Sequence, residues 1–130
     1  MGKARPQAIV LDAGALVAFE RGDQRIRALF REAVRVGARL IVPAGVVGQV
    51  FRDAARQVPL RALLNGPTSE VPPFNRTLAE AVGTLCGRTG TSDVVDASVV
   101  LEARRAHALV ITSDIHDLRR LDPALRIERI

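Results

Sequence analysis

Short apolar runs alternate with amphipathic stretches along the chain. Residues Ala8–Leu11 (AIVL) form the first run, and residues 40–42, 69–71 and 107–112 supply three more. Each has strand length and is rich in Val, Ile or Leu, or is bounded by turn residues. Residues 125–130 read as a last, edge strand. The stretches between these runs are helical in spacing. AGALVAFERG predicts a short helix closed by Gly22. From Asp23, the positions Ile26, Leu29, Phe30, Ala33 and Val34 share one helical face, with Asp23 as N-cap and Gly37 as the stop. AGVVGQVFRDAARQ predicts a helix with Pro43 near its start. A short helix spans 60–64. Asn75 caps another that reaches Leu85 and ends in GRTGTS. Ser92 caps a helix over 94–105, and residues 114–121 form the last. Strands that alternate with helices argue for a parallel α/β sheet covered on both faces. With no repeat, low-complexity tract or linker, one domain is expected over residues 1–130.

The aspartates are placed against this pattern in an informative way. Asp12 directly follows the first run and Asp114 follows ALVITS, so both stand at the carboxyl ends of strands. Ligands of open α/β sheets bind in the crevice outside those ends. Asp93 and Asp96 are three apart in SDVVDASVVLEA and are expected on one helix face. Asp96 lies among Val94, Val95, Val99 and Val100, where an ordinary surface carboxylate is out of place. Asp12 can cap the following helix and also hold a ligand. Asp93 reads equally as a first-turn residue favoured by the helix dipole. Asp117, three residues after Asp114, could face the same crevice. Thr112 and Ser113 offer hydroxyls at the same rim. Carboxylates gathered in this way repel one another unless a cation holds them, and oxygen ligands suit Mg²⁺ or Mn²⁺. Asp23, Asp53 and Asp122 read as surface residues.

Composition narrows the alternatives. Cys86 is the only cysteine, so an internal disulfide and a cysteine-based zinc site are excluded; it reads as a small buried residue. His107 and His116 are too far apart for a helical zinc pair. No P-loop, no dinucleotide fingerprint and no G-x-S-x-G elbow is present. The net charge is +5, and all basic residues but Lys3 are arginine. Such a surface draws polyanions, nucleic acid first among them. With no Trp or Tyr and only four Phe, base stacking is disfavoured and phosphate contacts must dominate. No apolar run approaches membrane-spanning length and no signal peptide is recognisable, so a cytoplasmic protein without membrane contact is expected.

Three segments, IVLDAGALVAFERGD, LIVPAGVVGQVFRD and VVDASVVLEARRAHALVITSDIHDLRRL, together resemble PIN-domain ribonucleases, in particular the VapC-type toxins of bacterial toxin–antitoxin pairs. The resemblance implies a three-layer α/β/α sandwich around a central parallel sheet. It also implies metal-dependent endonucleolytic cleavage of RNA, with Mg²⁺ or Mn²⁺ as cofactor. By position, Asp12, Asp96 and Asp114 match the family's acidic residues. Gln49 stands where the family usually has glutamate, on the helix after VPA; it keeps an oxygen donor and loses a charge. Asp93 is a candidate to replace the missing carboxylate. In this reading Asp12, Asp96 and Asp114 are catalytic and bind metal with Asp93. Gln49, Thr112, Ser113 and Asp117 support them, and Arg21, Arg52 and Arg88 seat RNA. An antitoxin partner and a homodimer follow from the toxin branch. The competing reading, carried by Gln49, is a weakened or inactive PIN-fold module that binds RNA or protein without cutting. A receiver-like phosphotransfer domain would want a lysine late in the chain, and the only lysine is Lys3.

Overall fold

A computed structural model of the chain describes residues 6–130. Among the described residues, five strands form one sheet: β1 (Ala8–Leu11), β2 (Arg39–Ile41), β3 (Ser69–Glu70), β4 (Leu109–Thr112) and β5 (Ile127–Arg129). All pair in parallel, in the order β3-β2-β1-β4-β5. Val10 of β1 lies opposite Ile41 on one side and Val110 on the other. β1 is buried along its whole length, which is why it reads as an unbroken apolar run rather than an alternating one. The expected edge strand is β5.

Seven helices connect the strands: α1 (Ala13–Glu20), α2 (Gln24–Arg35), α3 (Ala44–Val50), α4 (Val58–Leu64), α5 (Arg76–Thr89), α6 (Val94–Ala106) and α7 (Ile115–Leu121). The first three strands step one way across the sheet. The crossovers to β4 and β5 step the other way. With right-handed crossovers, α1 to α4 cover one face and α5 to α7 the other. The packing agrees: α1 meets α2, α3 and α4, while α6 meets α5 and α7. The α/β/α sandwich anticipated above is therefore present. Leu11, Leu16, Leu40, Ile111 and Leu118 are fully buried where the layers meet. Each contributes about 1.5–3 kcal/mol by leaving water.

Several boundaries differ from expectation, each for a local reason. The helix expected through residue 57 stops at Val50, and Phe51 turns extended (ψ 128). The buried Gln57 side chain is responsible. Its Oε1 accepts from the amides of Arg52 at 2.8 Å and Asp53 at 3.0 Å, which a continued helix would have used internally. Its Nε2 donates to the Val50 carbonyl at 2.9 Å and to Glu20 Oε2 at 3.1 Å. α5 runs past Leu85 to Thr89 and stops at Gly90, whose φ of 72 lets it close the helix. α6 is capped by Asp93 in place of Ser92, with Oδ1 accepting from the Asp96 amide at 2.9 Å. His107 ends α6 in the left-handed region (φ 50), so β4 starts at Leu109. Asp23 caps α2 as anticipated, accepting from the Ile26 amide at 3.0 Å. Cys86 is a buried free thiol.

Candidate metal centre

The strand order reverses between β1 and β4, and at such a switch point two connections leave in opposite directions and open a crevice. Asp12 ends β1 there, and Thr112, Ser113 and Asp114 end β4. Asp12 is only 7% exposed. Its Oδ1 accepts from the Ala15 amide at 3.0 Å, capping α1. Its Oδ2 accepts from the Thr112 hydroxyl. Thr112 Oγ1 in turn accepts from the Asp114 amide at 2.8 Å. One buried hydroxyl thus orients both strand-end aspartates.

The other bank is built by α6 and α3. Asp96 stands in the first turn of α6, half-buried. Asp93 is the cap of that helix rather than a member of its face, so its carboxylate is engaged with the Asp96 amide. Gln49 is exposed near the end of α3. Two glycines permit the close approach. A Cβ on Gly45 would come within 3.3 Å of Val95 Cγ2, so its absence lets α3 settle on the start of α6. A Cβ on Gly14 would lie 2.4 Å from Ser113 Oγ. Both are effects of the folded arrangement that sequence pattern alone does not reveal. The resulting cleft has a volume of about 260 Å³. Asp12, Asp93, Asp96, Asp114, Gln49 and Ser113 all line it.

Carboxylate oxygens of Asp96, Asp114 and Asp117 lie within 4.8 Å of one another. Asp117, an open question from sequence, thus joins the cluster. The charges interact strongly. The Asp96 carboxyl is pushed up to about 7, first by burial and then by Asp93, Asp114, Asp117 and Asp12. Burial raises Asp12 as well, against the hydrogen bonds from Thr112 and Ala15. Asp114 is raised by burial and by Asp117. No histidine or cysteine lines the cleft. The donor set is hard oxygen throughout, which suits Mg²⁺ or Mn²⁺ and disfavours a zinc-type site.

The three arginines expected to seat RNA do not line this cleft. Arg21 follows the far end of α1. Arg52 folds back on its own helix, donating to the carbonyls of Gly48 at 2.9 Å and Phe51 at 2.6 Å. Arg88 lines a separate groove between α5 and α6 with Thr84, Leu101 and Arg104.

The fold has solved counterparts over almost its whole length. VapBC2 from Rickettsia felis bound to a DNA fragment from its promoter matches with a TM-score of 0.71 at 15% identity, over 95% of this chain and 98% of that one. The chain has the PIN-domain fold. FitAB bound to an IR36 DNA fragment matches this PIN fold with a TM-score of 0.63 at 13% identity, over 93% of this chain and 94% of that one. FitAcB from Neisseria gonorrhoeae matches at 0.59 and 14% identity, over 92% and 95%. No family model and no curated protein sequence matches the chain. At 13–15% identity, the likeness to these structures resides in backbone architecture.

Proposed function

We propose that this PIN-fold chain is a Mg²⁺- or Mn²⁺-dependent endoribonuclease, the toxin of a VapC-type toxin–antitoxin pair. The observation that carries this reading is the convergence of Asp96, Asp114 and Asp117 to within 4.8 Å beside the buried Asp12. Such a cluster is costly unless positive charge compensates it. Asp12, Asp96 and Asp114 would hold the cation, with Asp93 and Asp117 at its margin. A bound Mg²⁺ or Mn²⁺ supplies an acidified water and neutralises charge on a phosphodiester.

The residues of the chain then have distinct tasks. Thr112 fixes the rotamer of Asp12 and the backbone of Asp114. Asp96, half-buried in the first turn of α6, would present its carboxylate to the cation from the opposite bank of the cleft. The three arginines contact RNA outside the cleft. An antitoxin would compete for the cleft by presenting a basic side chain to the carboxylates, and the working unit would be a homodimer. The likeness to VapBC2 and FitAB, each solved bound to a DNA fragment, supports a partner of this kind.

The test is cleavage of a mixed tRNA and rRNA pool with Mn²⁺, with Mg²⁺ and with EDTA, beside an Asp96→Asn control. Discrete products that need metal and vanish in the control are expected. No cleavage by a folded preparation free of inhibitor would favour the non-cutting binder.

A further inference from the structure

The cleft lining is chemically lopsided. Four of its side chains are carboxylates: Asp12, Asp93, Asp96 and Asp114. Two are neutral and polar, Gln49 and Ser113, and the remainder are apolar or glycine. Among the described residues, neither Gln49 nor the Ser113 hydroxyl has a hydrogen-bond partner. The neighbouring hydroxyl, on Thr112, is fully engaged. The two free donors also sit on opposite sides of Asp12. Gln49 is carried by α3, which follows β2, while Ser113 follows β4, and β1 lies between those strands.

A phosphodiester entering this cleft meets carboxylates that accept hydrogen bonds and cannot donate them. Cations offset their charge, yet the phosphate oxygens turned away from a cation still need donors. An amide N–H and a hydroxyl donate without adding charge. A carboxylate at position 49 would add a fifth negative charge to the same small volume.

We propose that Gln49 and Ser113 form a neutral donor pair that binds the non-bridging oxygens of the RNA phosphate, so that position 49 serves the substrate and not the metal. This rests on the nuclease reading above and refines it. Gly14 belongs to the same device, because the space left by its missing side chain is where the Ser113 hydroxyl sits.

The experiment compares Gln49→Ala, Gln49→Glu and Ser113→Ala with wild type in two assays. One is calorimetric titration with Mn²⁺ alone. The other is fluorescence anisotropy of a short fluorescein-labelled single-stranded RNA in Ca²⁺, its integrity checked on a gel. Both positions are exposed, so the variants are expected to fold. Gln49→Ala and Ser113→Ala should each weaken RNA binding about three- to tenfold, the size of one lost hydrogen bond, and leave the Mn²⁺ Kd within about twofold. Gln49→Glu should tighten Mn²⁺ and still weaken RNA. A Gln49→Ala protein that loses Mn²⁺ affinity as severely as Asp96→Asn would make Gln49 a metal ligand and overturn the inference. So would unchanged RNA binding in both alanine variants. A wild-type protein that binds neither Mn²⁺ nor RNA would remove the nuclease reading along with it, whereas wild type binding both isolates the failure to the donor pair.

Discussion

Thr112 and Asp12 are 100 residues apart in the chain and share a buried hydrogen bond, hydroxyl to carboxylate. The bond crosses from β4 to β1 at the point where the sheet reverses its order. The same oxygen receives the Asp114 amide, so the spacing of the two strand-end carboxylates depends on one side chain. Thr112→Val keeps the shape and removes the hydroxyl. It should cost about 1–3 kcal/mol in urea unfolding, because Asp12 Oδ2 and the Asp114 amide both lose a partner. Mn²⁺ affinity should drop about 10- to 100-fold, as for other groups that orient metal ligands. Equal Mn²⁺ affinity in the two proteins would show that Asp12 is held without Thr112.

The acidic cluster predicts an unusual pH profile for the metal-free protein. Asp96 titrates at about 7 when folded against an ordinary 3.8, so the folded state keeps a proton that the unfolded state has released. Between those values the folded state binds more protons, and the contribution of Asp96 to stability falls as pH rises. Asp12 and Asp114 shift in the same direction. Glu70 shifts the opposite way, lowered by Arg39, and its contribution is lost only as pH falls through the acidic range. The Tm without metal should therefore decline from about pH 5 to about pH 8, and Asp96→Asn should flatten that decline. Mn²⁺ should raise Tm more at the higher pH, where it does not compete with the proton. A Tm that rises across this interval in EDTA would contradict the charge arrangement described here.

Gly14 and Ser113 should couple. Alanine at position 14 favours the helix by roughly 1 kcal/mol, but its Cβ would fall 2.4 Å from Ser113 Oγ. Because Ser113 is exposed, its hydroxyl can rotate away, so Gly14→Ala should fold and displace the hydroxyl. Gly14→Ala/Ser113→Ala should be more stable than additivity allows, by about 0.5–1 kcal/mol in a thermal double-mutant cycle. Strict additivity would mean that the two residues do not touch.

Gln57 offers a control for stability without chemistry. Gln57→Leu leaves the amides of Arg52 and Asp53 and the Val50 carbonyl without their partner and should cost about 2–3 kcal/mol in urea unfolding. Its Mn²⁺ titration should match wild type, since the residue is absent from the cleft lining. A loss of metal binding at full folding would show that the α3 turn controls the placement of the cleft carboxylates.

The parts of this molecule legible in sequence are those fixed by burial. β1 and β4 are unbroken apolar runs because helices cover both faces of the sheet, and an aspartate just past each run had to lie at the sheet's rim. Asp96 stood out because its neighbours on α6 are apolar. What escaped notice was set by contacts between distant segments. Gln57 looks like a helical surface residue until Glu20 and the Val50 carbonyl are placed beside it. Ser92 and Asp93 are both good caps, and the choice between them depends on which side-chain oxygen reaches the Asp96 amide. Gly14 and Gly45 are unremarkable in a list of residues, and their value lies in what presses against them. The likeness to VapBC2 likewise holds in the backbone, with a TM-score of 0.71, while most side chains differ at 15% identity.

The reversal of strand order also sets when the cluster can exist. Asp12 leaves the ribosome long before Asp96, Thr112, Asp114 and Asp117. A nascent chain carries its first carboxylate with no partner until β4 has emerged and inserted beside β1. Every carboxylate lining the cleft except Asp12 comes from the last 38 positions, Asp93 onward. The acidic cluster is therefore assembled only once the last third of the chain has folded against β1.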